Sequence, residues 1–132
     1  MNDHEAIRAL LAEYCQSCDD GRWDRFGELF TEDAQFKVMG EVYTGRAAIR
    51  EWMSVVQGPD ARGKHIISAP LIHRHPTHAA AHCTTDFIFV GRGPDGLGIT
   101  STGRYVDELR IEHDGEWRIA VRELVFLHDI PN

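Results

Sequence analysis

The sequence predicts an α+β domain, with three helices first and a long-stranded sheet after them. Two observations carry that prediction. Apolar residues recur at helical spacing in residues 3–19, 22–30 and 46–56. From Lys64 onward the period changes: residues 64–74, 78–91, 98–112 and 116–128 are rich in Ile, Val, Thr, Phe and Tyr, and turn residues separate them. Long strands twist and curl. A curled sheet closed on one side by helices encloses a cavity.

The elements follow in order. Residues 3–19 read as an amphipathic helix in which Ile7, Leu11, Tyr14 and Cys18 form one stripe. Asn2 or Asp3 caps it, and Glu5 stands three residues after Asn2 as in a capping box. Asp20-Gly21 ends it, leaving Asp19 at the edge of the apolar stripe. Trp23, Phe26 and Phe30 share a face of a short second helix over 22–30, and Thr31-Glu32-Asp33 reads as a turn. Residues 34–39 and 41–44 form a hairpin around Gly40, with Phe36, Val38 and Tyr43 as strand formers. Thr44 or Gly45 caps the third helix, whose apolar face is Ile49, Trp52, Met53 and Val56; Gln57-Gly58-Pro59-Asp60 stops it. The four later strands meet at His75-Pro76-Thr77, Gly93-Pro94-Asp95-Gly96 and Asp114-Gly115, the last a strong hairpin signal. An antiparallel meander is the expected arrangement.

Composition narrows the class. A chain of 132 residues with 42% hydrophobic and 27% charged residues suits one domain, 1–132, with one core. Its net charge is -7 and its Lys and Arg are scattered, which disfavours nucleic acid as a partner. No apolar run reaches the ~20 residues that span a bilayer, and the N-terminus lacks the pattern of a secretory signal. A soluble, cytoplasmic protein with no membrane partner is expected.

Three motifs carry little chemistry. Cys15 and Cys18 form C-x-x-C, but near a helix end rather than at the start where the dipole activates a thiol, so they read as core thiols. His73, His75, His78 and His82 cluster around a proline turn with no acidic ligand at a telling distance, and read as solvent-facing hairpin residues rather than a metal site. Gly91-x-Gly93-x-x-Gly96 contains Pro94 and leads into a strand, so it is not a dinucleotide loop. Neither a metal nor a cofactor is expected.

Taken together, Tyr14 and Asp19, TEDAQF at 31–36, YTGRAAI at 43–49, KHIIS at 64–68, GRYVDEL at 103–109 and DGEWRIAVREL at 114–124 resemble the NTF2-like superfamily. Within it the chain is most similar to the SnoaL-like group that includes scytalone dehydratase, bile-acid 7α-dehydratase and hexachlorocyclohexane dehydrochlorinase. The resemblance implies a cone-shaped α+β barrel: three N-terminal helices packed on a curled, mostly antiparallel sheet that encloses a pocket. In dehydratase-type members an Asp at the end of the first helix pairs with a His on the strand after the third helix. The matching positions are Asp19 and His65, with Tyr14 in the place of a substrate-polarising tyrosine. A second His of scytalone dehydratase has His82 or His128 as candidate counterparts. The first hairpin has no Asp between Phe36 and Glu41, which disfavours a ketosteroid isomerase.

The residues suit that chemistry. Neutral His is a base poised near working pH, and a buried carboxylate fixes its tautomer. His65 alternates with Ile67, Ala69 and Leu71, which aims it with apolar neighbours into an enclosed space. The expected catalytic set is His65, Asp19 and Tyr14. Arg122, Tyr105, Trp52 and Phe36 are the candidate substrate contacts, and Arg118 is expected on the same strand face as Arg122. The expected activity is a cofactor-independent lyase of the dehydratase type acting on a small apolar cyclic hydroxy-ketone. The alternatives are a non-catalytic ligand-binding or assembly domain, and a cyclase or isomerase using the same pocket. Members of this fold commonly pair through the open sheet face, so a homodimer is expected.

Overall fold

The chain's structure, a computed structural model, describes residues 1–129. Helix α1 runs Asp3–Asp19, α2 Trp23–Glu28 and α3 Arg46–Val56. The strands are β1 Phe30–Val38, β2 Glu41–Thr44, β3 Lys64–Ile67, β4 Leu71–Arg74, β5 Ala80–Gly93, β6 Gly96–Ile111 and β7 Trp117–Phe126, followed by a 3-10 turn at Leu127–Asp129. They form a 7-stranded sheet in the order β2-β1-β7-β6-β5-β3, with β4 pairing β5 beyond β3. The sheet curls around the helices without closing into a barrel. Every pairing is antiparallel except β1 with β7. No helix among the described residues is long and apolar enough to cross a membrane.

The ends of α1 follow local chemistry. Asn2 Oδ1 accepts from the Glu5 N–H at 2.9 Å, and the Glu5 carboxylate accepts from the Asn2 N–H at 3.2 Å, the reciprocal capping box. Gly21 takes φ +68° just after the helix, and a side chain there would run into the Arg62 guanidinium. The positive φ is what favours glycine here, since the Arg62 guanidinium is the mobile end of a long side chain and could move aside. Ile7, Leu11, Tyr14 and Cys18 are buried against the sheet, together with Phe26, Phe30, Phe36, Ile49, Leu109 and Ile119.

Three readings from periodicity need correction. Residues 31–33 are not a turn: Phe30 already pairs with Ile119, and a register shift between Phe30 and Gln35 takes up the bend. Residues 64–74 are two strands, because Ser68-Ala69-Pro70 interrupts them and proline has no N–H for the ladder. The break also ends the alternation: His65 and Ile67 face inward, whereas Leu71 is 66% exposed and Ile72 turns in instead. Finally, Arg118 and Arg122 do not share a face. Glu108 pairs with Val121 and Leu109 with Ile119, so Ala120 is an extra residue on β7. That bulge reverses the phase of the strand. Arg118 stays outside on Asp114, and Arg122 turns into the core.

Candidate functional site

Asp19 closes α1, where the helix dipole opposes a carboxylate. It is nonetheless buried, its side chain 4% exposed, because β3 supplies donors. The His65 backbone N–H lies 3.1 and 3.2 Å from the two carboxylate oxygens, and His65 Nδ1 lies 2.6 Å from Oδ1. A carboxylate accepts only, so Nδ1 carries the proton in the neutral ring. The other ring nitrogen, Nε2, is hydrogen-bonded to no described residue. The His65 ring packs 4.7 Å from Phe89 and edge-on to Tyr14. One side chain thus fastens α1 to β3 and orients the imidazole.

His65 lines a cavity of about 240 Å³ with Tyr14, Trp52, Met53, Phe87, Tyr105 and Phe126 among its walls. Tyr43, Gln57 and Ser101 add polar groups to a largely apolar, aromatic lining. Trp52 stacks on Tyr43 with ring centres 4.1 Å apart. Tyr14 and Tyr105 are neighbours in the buried wall of the cavity. The two rings meet edge to face, centres 5.7 Å apart, and both line the cavity. Burial pushes both phenols above their ordinary value, and the Arg122 charge works the other way. Both phenols therefore stay protonated at neutral pH and act as donors.

Two expected contacts fall outside the cavity. Arg122 is a core residue, not a substrate contact. Its Nε and Nη2 each lie 2.8 Å from an Asp107 carboxylate oxygen, and the two side chains are 2% and 0% exposed. Its guanidinium lies against both the Tyr105 ring, at 3.8 Å, and the Tyr14 ring, at 4.2 Å, two rings that also meet each other edge to face. Burial opposes its charge, but the Asp107 carboxylate holds the guanidinium firmly protonated. Phe36 is also misplaced as a contact: it is fully buried behind Trp52, ring centres 5.0 Å apart. Tyr14, Asp19, His65, Trp52 and Tyr105 are brought together.

The SnoaL-like domain model matches residues 1–123 of this chain. The chain belongs to the SnoaL-like family. Among solved structures, it is similar to a Mycobacterium tuberculosis protein of unknown function, at 30% identity over 92% of this chain and 69% of that one, TM-score 0.84. It is also similar to a Novosphingobium aromaticivorans protein named as a candidate scytalone dehydratase, at 25% identity over 92% of this chain and 82% of that one, TM-score 0.79. A Nostoc punctiforme protein of unknown function with a cystatin-like fold shares the architecture, at 20% identity over 98% of this chain and 94% of that one, TM-score 0.84. Comparison with curated proteins returns no match.

In this SnoaL-like chain the other histidines stand apart from His65. His82 pairs with His73 on the outer face of β4 and β5, and His75 stacks on His78 with ring centres 4.1 Å apart. His128 lies beyond β7, exposed and stacked on Phe126. Cys15 and Cys18 are buried, and burial pushes the Cys15 thiol up to about 11 and that of Cys18 further. Thiolate is the reactive form. We therefore expect neither to react with 5,5′-dithiobis(2-nitrobenzoate) at pH 7.5 in the folded protein, and both to react once it is unfolded in guanidinium. Labelling of the folded protein within minutes would contradict the burial described.

Gln57 is among the cavity residues that sequence reasoning missed, with Phe87, Phe89, Ser101 and Phe126. It sits at the end of α3 and lines the cavity. A polar residue followed by Gly58-Pro59 reads as a helix stop, and only the return of the chain to His65 places it beside the pocket.

Proposed function

We propose that this SnoaL-like protein is a cofactor-independent hydro-lyase acting on a small, largely apolar cyclic β-hydroxy-ketone. The observation that carries the reading is the 2.6 Å tie between Asp19 and His65 Nδ1, which leaves Nε2 as the basic lone pair at a cavity wall. Nε2 takes the proton alpha to the carbonyl. The C–H electron pair becomes the enolate double bond, and charge gathers on the carbonyl oxygen. Tyr105, a protonated phenol in the cavity wall, donates to that oxygen. Asp19 stabilises the imidazolium. The enolate then expels the β-hydroxyl, which takes the proton from Nε2 and leaves as water, and a conjugated enone remains. Atoms and charge balance with no further reagent.

The similarity to a candidate scytalone dehydratase supports the same reading. A cyclase or isomerase would use the same first step and differ only in the fate of the enolate. We place the protein in the cytoplasm, in keeping with three free cysteines, and take a homodimer through the open sheet face as its assembly. The test is to incubate the protein with cyclic β-hydroxy-ketones and follow the ultraviolet absorbance of the enone. Turnover by the wild type that is lost in His65→Ala is expected. Equal turnover by the variant removes His65 from the reaction.

A further inference from the structure

The cavity carries an uneven charge. Among the described residues, no lysine or arginine lines it. Arg122, behind the tyrosine wall, is already paired with Asp107. His65 is paired with Asp19, so a protonated ring and its carboxylate together carry no net charge. Three of the lining residues are exposed, Met39, Glu41 and Val56, and these mark the mouth. Of the three, only Glu41 is charged. Strand register fixes where it stands. Glu41 lies directly opposite Val38, and opposite residues of an antiparallel pair share a face. Val38 is buried and lines the cavity, so Glu41 is on the cavity side of the hairpin. Lys37 and Val42 form the next pair and take the other side. The Glu41 carboxylate makes no hydrogen bond or ion pair with any described residue.

An anion that enters such a site gives up its water and finds no counter-charge, which is strongly unfavourable. At the mouth it also meets a like charge. The geometry points to Glu41 as a specificity-determining residue: together with the cation-free lining, it restricts the site to uncharged ring ketones and turns carboxylates away. The two parts differ in size. Desolvation inside the aromatic lining is the larger. Repulsion from Glu41 acts through water, so it is smaller and falls with salt. The chemistry of supply follows. A ring acid has to be decarboxylated, or masked as an ester or amide, before this protein acts on it. The inference rests on reading the cavity as a ligand site, but not on the elimination step.

The probes are 6-carbamoyl-1-tetralone and 6-carboxy-1-tetralone, alike in size and shape and unlike in charge. Neither has a β-hydroxyl to eliminate, so binding is read without turnover, and a failed dehydratase assay would leave the result standing. Calorimetric titration of the wild type at neutral pH and low salt should show the amide binding about tenfold or more tighter than the carboxylate. Glu41→Gln should tighten the carboxylate by about threefold and Glu41→Lys by about tenfold, with the amide moving less than about twofold in either. Both gains should shrink in about 0.5 M salt. Glu41 is an exposed hairpin residue, so neither variant puts the fold at risk. Two results would each overturn the inference: a carboxylate bound as tightly as the amide by the wild type, or a carboxylate affinity unmoved by Glu41→Lys. Binding of neither probe by the wild type would overturn it as well, and the turnover assay then decides separately whether the elimination reading stands.

Discussion

Arg122→Ala is expected to destabilise the protein by about 3–5 kcal/mol in urea or guanidinium unfolding. The substitution strands the Asp107 carboxylate, 0% exposed, without its counter-charge. It also removes a guanidinium that packs against both the Tyr14 and Tyr105 rings. Against a total stability of about 5–15 kcal/mol, a loss of that size leaves the fold marginal. The pair as a whole contributes less than its breakage suggests, because desolvating two charges offsets most of their attraction. The double variant Asp107→Leu/Arg122→Met should therefore recover most of the loss. If Arg122→Ala cost under about 1 kcal/mol, the guanidinium would have to be hydrated, contrary to its burial. The cavity depends on this pair indirectly, since the two tyrosines that wall it rest against the guanidinium.

The second large effect is on rate. His65→Ala should lower turnover of a β-hydroxy-ketone by about 10²–10⁴-fold, the usual contribution of a positioned general base. Asp19→Asn should lower it by a comparable factor while the protein stays folded. An amide can still take the His65 backbone N–H on its oxygen. Its NH₂ group, however, competes to donate to Nδ1, and that tautomer puts a proton on Nε2, where it blocks the base. Asp19→Ala should be worse for stability, because the buried His65 N–H then loses its acceptor. If Asp19→Asn retained full turnover, the carboxylate would be only a strut between α1 and β3.

Much of this arrangement was legible in the residues, and the rest failed for local reasons. Helix α1 was readable to the residue at both ends because its signals are local: the Asn2–Glu5 box and Gly21. The meeting of Asp19 with His65 across 46 positions came from the family resemblance rather than from spacing. The parallel pairing of β1 with β7 leaves no mark in either segment, since a parallel edge and an antiparallel edge ask for the same β-formers. Arg122 was misplaced because alternation from Arg118 is valid only up to the Ala120 bulge. Phe36 was misplaced because an inward strand residue can end behind another ring as readily as at a cavity surface. Gln57 escaped notice as a cavity residue because, ahead of Gly58-Pro59, it reads only as a helix stop.

The central claim is that Asp19 holds His65 in the tautomer that leaves Nε2 bare toward the cavity. The most direct measurement is the ¹⁵N chemical shifts of the His65 ring, recorded in wild type and Asp19→Asn at a pH where the ring is neutral. The account predicts protonated Nδ1 and unprotonated Nε2 in the wild type, with the balance moving toward protonated Nε2 in the variant. A wild-type ring protonated at Nε2, or a tautomer balance untouched by the substitution, would contradict it.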